Sequence, residues 1–190
     1  MEQQAHYFFA VKLPEETKVI LKSHIEKLKG TLPFSRWVHY EDLHITLAFL
    51  GYAPVEKLRL ANENVHESLR HSNILELKIN QLGIFGNQDS PRIFWADTLE
   101  SPELQNVRKK VFHACFEAGF QLETRPFRPH ITLARKWEGE GSFHNHMLDI
   151  WQEIQPGPLT FKASEVVLYQ THLQKTPKYE VKTAFQLLPS

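Results

Sequence analysis

The pentapeptide "HITLA" stands twice in this chain, at His44–Ala48 within "EDLHITLAFLG" and at His130–Ala134 within "FRPHITLARKW". Alternate side chains of a strand share a face. Strand alternation therefore predicts His44, Thr46 and Ala48 on one face, with Ile45, Leu47 and Phe49 on the other. It likewise predicts His130, Thr132 and Ala134 opposite Ile131 and Leu133. Each copy would pack Ile and Leu into a core and present His and Thr away from it. Packing explains a repeated Ile and Leu but not a repeated outward His and Thr. If a pseudo-twofold axis relates two halves of the chain, the two His–Thr faces meet in one cleft.

The segments around the repeat support two halves. "HYFFAVKL" is a short apolar run that reads as a strand buried on both faces. "PEETKVILKSHIEKLKG" opens on Pro and two Glu, carries Ile20, Leu21, Ile25 and Leu28 as a stripe, and closes on Gly30, so it predicts a helix. "PVEKLRLANENVHESLRH" predicts a second helix. In "SPELQNVRKKVFHACFEAGF" Ser101 is the expected N-cap, Pro102 the first helical residue and Gly119 the stop. "ILELKINQLGIFG" and "RIFWADT" read as two strands joined by "GNQDSP", "FHNHMLDIWQEI" as a short helix, and "LTFKASEVVLYQT" and "YEVKTAFQLL" as closing antiparallel strands. The order predicts an α+β protein of two similar lobes, with no linker dividing residues 1–190.

The apolar share of 42% is enough for a packed core. Lys plus Arg and Asp plus Glu are both 22, so there is no broad basic field, and a nucleic-acid site must be local, built from a few arginines. A single cysteine, Cys115, excludes an internal disulfide and points to a reducing compartment. "MEQQAHYFFAVKLPEE" lacks the basic start and long apolar run of a signal peptide, and no stretch reaches the roughly 20 apolar residues of a membrane span. The expected location is cytoplasmic.

Two imidazoles and two hydroxyls about one point suit phosphodiester chemistry without metal. One neutral imidazole takes a proton from the attacking oxygen, and one imidazolium protonates the leaving oxygen. An unperturbed pKa near 6.5 makes both forms accessible around neutrality. The hydroxyls bind non-bridging oxygens as charge develops.

At these residues the chain resembles the 2H phosphoesterase superfamily, defined by two His-x-Thr-x motifs. Within it the chain is most similar to the RNA 2′,3′-cyclic phosphodiesterases, formerly called 2′-5′ RNA ligases. "YFFAVKLPEE", "WVHYEDLHITLAFLG", "LGIFGNQDSPRIFWADT", "FRPHITLAR", "VVLYQTHL" and "YEVKTAFQL" carry the likeness over nearly the whole chain. The resemblance implies a bilobal fold, two pseudo-symmetric lobes of antiparallel sheet with outer helices around a central cleft, and no cofactor. It implies hydrolysis of a terminal RNA 2′,3′-cyclic phosphate to a 2′-phosphomonoester, with reverse 2′-5′ joining in several members. It makes His44 the proton donor, His130 the proton acceptor, and Thr46 and Thr132 the phosphate holders. The expected partner is RNA with a 2′,3′-cyclic phosphate end; no membrane, metal or second copy is expected. Thr171 stands where relatives often have Ser, and Thr176-Pro177 where they often have Gly.

Four further residues are candidates for substrate binding. Arg128 precedes His130 by two and shares its face if the strand extends past Pro129, against the alternative of a surface ion pair. Arg135 has the opposite parity and reaches the cleft only from the strand end. Phe9 and Tyr169 are candidates to stack a base, against core packing. Small cyclic nucleotides and non-catalytic binding of RNA ends are the competing functions. "HNH" at His144–His146 has metal-pair spacing but no nearby carboxylate or thiol partner, which favours a solvated loop.

Overall fold

Residues 4–190 are described by a computed structural model. Met1, Glu2 and Gln3, the first residues of the N-terminal stretch, lie outside the described residues. In chain order the elements are β1 (His6–Lys12), α1 (Glu15–Lys29), β2 (Phe34–Trp37), β3 (His44–Tyr52), α2 (Val55–Leu69), β4 (Leu75–Ile79), β5 (Leu82–Gly86) and β6 (Pro91–Asp97). Then come α3 (Pro102–Glu117), β7 (His130–Trp137), α4 (Ile150–Ile154), β8 (Leu159–Ala163), β9 (Glu165–Thr171) and β10 (Tyr179–Gln186). Two four-stranded antiparallel sheets result, in the orders β10-β9-β1-β3 and β2-β7-β6-β5. Each holds one copy of the repeat, β3 in the first and β7 in the second.

The helices start and stop where the sequence predicts. In α1, Glu15 and Glu16 occupy the first turn and Lys27 and Lys29 the last, which complements the helix dipole. Leu21, Ile25 and Leu28 form its buried stripe. The Ser101 hydroxyl accepts from the Leu104 amide at 3.1 Å, capping α3, and Gly119 ends it at φ 92, in the left-handed region.

Three expectations change. "ILELKINQLGIFG" is two strands, because the chain turns at Asn80 and Gln81, whose amides both donate to Asp97 Oδ1 at 2.9 and 3.1 Å. β4 leaves that corner to pair with β8 in a separate two-stranded sheet. "LTFKASEVVLYQT" breaks at Ser164 in the same way, into β8 and β9. β2, only four residues after Pro33, is too short to show a period in the sequence; it adds to β7 through Arg36 opposite Arg135 and Trp37 opposite Ala134.

The third change is shared by both copies of the repeat. In β3, Phe9 faces Ala48 but Ala10 faces Thr46, so Leu47 is an extra residue in the ladder. In β7, Phe94 faces Ala134 but Trp95 faces Thr132, so Leu133 is extra in the same position. Such a bulge places two consecutive residues on the core side and re-phases the residues after it. Leu47 and Ala48 are accordingly both buried, as are Leu133 and Ala134. Phe49, expected on the core face, is 56% exposed, and Arg135 also turns outward.

Candidate active site

The faces bearing His44, Thr46, His130 and Thr132 line one open cleft of about 1460 Å³. The strands fix the histidines by the same local device. Two residues before each histidine, a main-chain carbonyl turns back to its ring. Asp42 O lies 2.7 Å from His44 Nδ1, and Arg128 O lies 2.7 Å from His130 Nδ1. A carbonyl oxygen only accepts, so each neutral ring carries its proton on Nδ1. Both Nε2 atoms are then unprotonated lone pairs.

Their surroundings differ. His44 packs among Phe8, Tyr179 and Tyr169, with ring centroids 4.9, 5.3 and 5.9 Å away. Its Nε2 accepts from the Thr46 hydroxyl at 2.9 Å. Burial pushes its pKa down to about 4, opposed by the Asp42 carbonyl bond and the Asp42 charge, while His130 pushes it further down. His130 stands edge-on to Phe85 at 4.9 Å, with Trp95 at 6.2 Å. Burial lowers its pKa too, opposed by the Arg128 carbonyl, and Arg135 lowers it further. Both rings are thus held toward the neutral form at neutral pH, which the unperturbed value did not indicate.

The cleft is locally basic in a chain of zero net charge. Arg36, Arg108, Arg125, Arg128, Arg135 and Lys178 line it, against Asp42 and Glu123. Arg125 is paired with Glu123 at 3.0 Å. Among the described residues no ion pair engages Arg36, Arg108, Arg128 or Arg135. Arg36 and Arg135 face each other across β2 and β7, and like charges in that position repel unless an anion separates them. Asp42 is spoken for: its carboxylate, buried, accepts from the Lys178 and Tyr179 amides at 2.9 and 3.1 Å and pins the start of β10 to the entry of β3.

The family model for LigT like Phosphoesterase matches residues 11–95 and 98–179. The chain belongs to this family. It is 42% identical over 98% of its length to an RNA 2′,3′-cyclic phosphodiesterase of Geobacillus stearothermophilus, of which it spans only 58%. It is 34% identical to the Bacillus subtilis protein of the same name, covering 96% of each chain. A crystal structure from Thermus thermophilus superposes with a TM-score of 0.78 at 24% identity, covering 97% of this chain and 99% of that one. Escherichia coli LigT complexed with 3′-AMP superposes at 0.75 and 22% identity, covering 97% and 99%. The LigT fold is therefore present.

Within this LigT-like frame, the candidate residues fall into two groups. His44, Thr46, His130, Thr132, Arg128 and Arg135 all line the cleft. Arg128 does so from the segment before β7, since the strand begins only at His130, and Arg135 does so because of the bulge at Leu133. Phe9 does not line it. It is wholly buried against Phe185, on the core side of β1, so it cannot stack a base. Tyr169 is 3% exposed and packs behind the His44 ring, so it too is a wall and not a platform. Their apolar strand setting points to this outcome.

Other cleft residues were not singled out from sequence. Phe8, the neighbour of Phe9, takes the place beside His44, and Tyr179, Phe85 and Phe49 also line the cleft. Thr171 and Thr176 also line the cleft. Trp95 lies flat across Gly83, where even a Cβ would collide with the indole, and this brings Trp95 beside His130. Phe8 is hidden in the sequence because both faces of "HYFFAVKL" are apolar, so parity alone cannot say which faces the cleft. His144 and His146 stack on each other at 5.6 Å in a 3-10 turn away from the cleft lining. Among the described residues no group of three or more His, Cys, Asp or Glu is placed to hold a metal ion, and no helix is long and apolar enough to cross a membrane.

Proposed function

We propose that this chain hydrolyses the 2′,3′-cyclic phosphate at an RNA end to a 2′-phosphomonoester, without a metal, by paired-histidine acid–base catalysis. The observation that carries this is the matched pair of Nδ1–carbonyl bonds, which leaves both Nε2 atoms as the reactive nitrogens of one arginine-lined cleft. The names of the relatives at 42% and 34% identity agree with it.

The phosphate sits between the two His–Thr faces. His130 Nε2 takes a proton from water as its oxygen attacks phosphorus. His44, protonated on Nε2, gives that proton to O3′ as the P–O3′ bond breaks. The 2′-phosphate and a free 3′-hydroxyl leave, and solvent returns the proton from His130 to His44. With the 5′-hydroxyl of another RNA in place of water, the same steps form a 2′-5′ bond.

Both histidines are neutral in the free protein at neutral pH, so His44 must gain its proton when the anion binds. The phosphate charge raises its pKa, and the Thr46 hydroxyl turns from Nε2 to a non-bridging oxygen. Once protonated, an imidazolium of low intrinsic pKa is a strong acid toward a departing alkoxide. Thr132 and the unpaired arginines meet the remaining charge of the transition state.

The test is turnover, under excess chelator, of an oligonucleotide and of a mononucleotide that each end in a 2′,3′-cyclic phosphate, with mapping of the product. We expect hydrolysis to the 2′-phosphate and a higher kcat/KM for the oligonucleotide. Binding without turnover would make the cleft a non-catalytic RNA-end site. Preference for the mononucleotide would make it a small cyclic phosphodiesterase.

A further inference from the structure

Arg108 is the one arginine of the cleft that comes from a helix. Its guanidinium carbon is 4.1 Å from the centroid of the Phe112 ring, one turn further along α3. It is 5.3 Å from the centroid of Phe127, in the segment that leads to His130. The two rings hold the planar cation in one orientation. Its Nε is buried and has no hydrogen-bond partner. Among the described residues no carboxylate pairs with it. Three exposed arginines do have partners: Arg59 has Glu56 and Glu63, Arg70 has Glu67, and Arg125, at the cleft, has Glu123.

A half-buried guanidinium without a counter-ion is costly unless an anion completes it. Burial disfavours the charged form here, as expected, yet a guanidinium stays protonated at any physiological pH. Arg108, Phe112, Phe127, Arg128 and Gln121 all line the cleft. The terminal phosphate is already accounted for by the two His–Thr faces on β3 and β7. Arg108 stands apart from those strands, on α3. At about 1460 Å³ the cleft also exceeds the range of roughly 300–1,000 Å³ that holds a small molecule. It has room for nucleotides beyond the one that reacts.

We propose that Arg108, clamped between Phe112 and Phe127, is a subsite for a backbone phosphodiester of the RNA strand upstream of the reacting end. It makes the enzyme prefer an oligonucleotide to a cyclic mononucleotide, and it rests on the reading of the cleft as an RNA-end phosphoesterase site.

The experiment compares wild type, Arg108→Met and Arg108→Lys on a series that ends in a 2′,3′-cyclic phosphate: mononucleotide, dinucleotide and hexanucleotide. For the hexanucleotide, Arg108→Met raises KM by about tenfold or more, as expected for the loss of a charge-assisted bond, with little change in kcat. For the mononucleotide the change in KM is less than about twofold. The slope of log KM against log salt for the hexanucleotide falls by about 0.7, the value for one single-strand phosphate contact. Arg108→Lys keeps the charge but loses the planar fork, so its KM lies between; it carries the test if the Met variant does not fold. An equal rise in KM for mononucleotide and hexanucleotide would overturn the subsite and leave Arg108 a clip for the Phe127 segment. No rise for either would overturn it as well.

Absence of wild-type turnover on every cyclic phosphate would defeat the catalytic reading instead. Fluorescence anisotropy with a labelled hexanucleotide ending in a 2′-phosphate then decides Arg108 alone. A fivefold or greater loss of affinity in Arg108→Met supports the subsite, and unchanged affinity overturns it.

Discussion

The two copies of "HITLA" share more than sequence, yet they are not interchangeable. Each lies in its own four-stranded sheet, each bulges at its leucine, and each histidine is tied by Nδ1 to the carbonyl two residues before it. The copies part beyond the pentapeptide. His44 is caged by Phe8, Tyr169 and Tyr179 and accepts from Thr46, while His130 stands beside Phe85 and Trp95 with Arg135 on its flank. The first outward residue after each bulge is an exposed phenylalanine in one copy, Phe49, and an arginine in the other, Arg135. The repeat thus carries the shared geometry, and the neighbours set each ring's protonation and what it meets. Two like groups in unlike surroundings are what acid–base division of labour requires.

The largest effect should come from the histidines themselves. His44→Ala and His130→Ala should each lower kcat by about 10²–10⁴, the range for one general acid or base. The double variant should lose less than the product of the two, because the residues act on one reaction step as a unit. Single-turnover cleavage of the cyclic-phosphate oligonucleotide measures this, and strict multiplicativity would break the pairing.

The threonines sharpen the comparison. As donors to developing negative charge, each is worth about 2.7–4 kcal/mol at most, so Thr46→Val and Thr132→Val should lower kcat more than they raise KM. Only Thr46 also donates to its histidine in the free protein. That bond favours neutral His44, so its loss should raise the His44 pKa. Thr132→Val should not move that of His130 in the same way. Imidazole titration by NMR reads both, and equal shifts in the two variants would erase the difference between the halves.

Asp42 tests the scaffold of one half only. Its buried carboxylate accepts two amides at the start of β10, those of Lys178 and Tyr179. Asp42→Asn removes the charge and leaves one good acceptor, so it should cost about 1–3 kcal/mol of stability. Thermal unfolding measures the loss. In the folded fraction the perturbation should appear at His44 and not at His130, and equal changes at both rings would contradict separate scaffolds.

The smallest effect is in pH dependence. Both histidine pKa values lie below 6.5 in the free protein, that of His44 at about 4. The acid must be protonated and the base neutral, and kcat/KM reports the free enzyme. Its optimum should therefore lie on the acid side of pH 6.5. Bound phosphate raises both values, so the optimum for kcat should lie higher. Coincident optima for the two parameters would show that substrate charge does not recharge His44.

Much of this is legible in the amino-acid sequence alone. Periodicity, caps and the proline and glycine stops locate α1, α2 and α3, because those signals are local. The repeat locates the four central residues, because a strand's faces follow from parity. Parity fails one step beyond them. Nothing in "HITLA" marks Leu47 and Leu133 as bulged, since a bulge depends on the partner strand. Hence parity puts Phe49 and Arg135 on the wrong side. Phe9 and Tyr169 mislead for a different reason: in strands that are apolar on both faces, only packing says which ring looks into the cleft. The protonation of His44 is also out of reach, because its cage is drawn from β1, β9 and β10, far apart in the chain.

The division of labour between the two copies is tested most directly by changing the leaving group. An oligonucleotide whose terminal cyclic phosphate carries sulfur in place of O3′ expels a thiolate, which needs no proton. Single-turnover rates under chelator, compared with those for the ordinary substrate, should show His44→Ala recovering to within about tenfold of wild type, while His130→Ala stays lower by about 10²–10⁴. Recovery by His130→Ala alone would reverse the two roles, and recovery by neither would contradict acid–base catalysis by this pair.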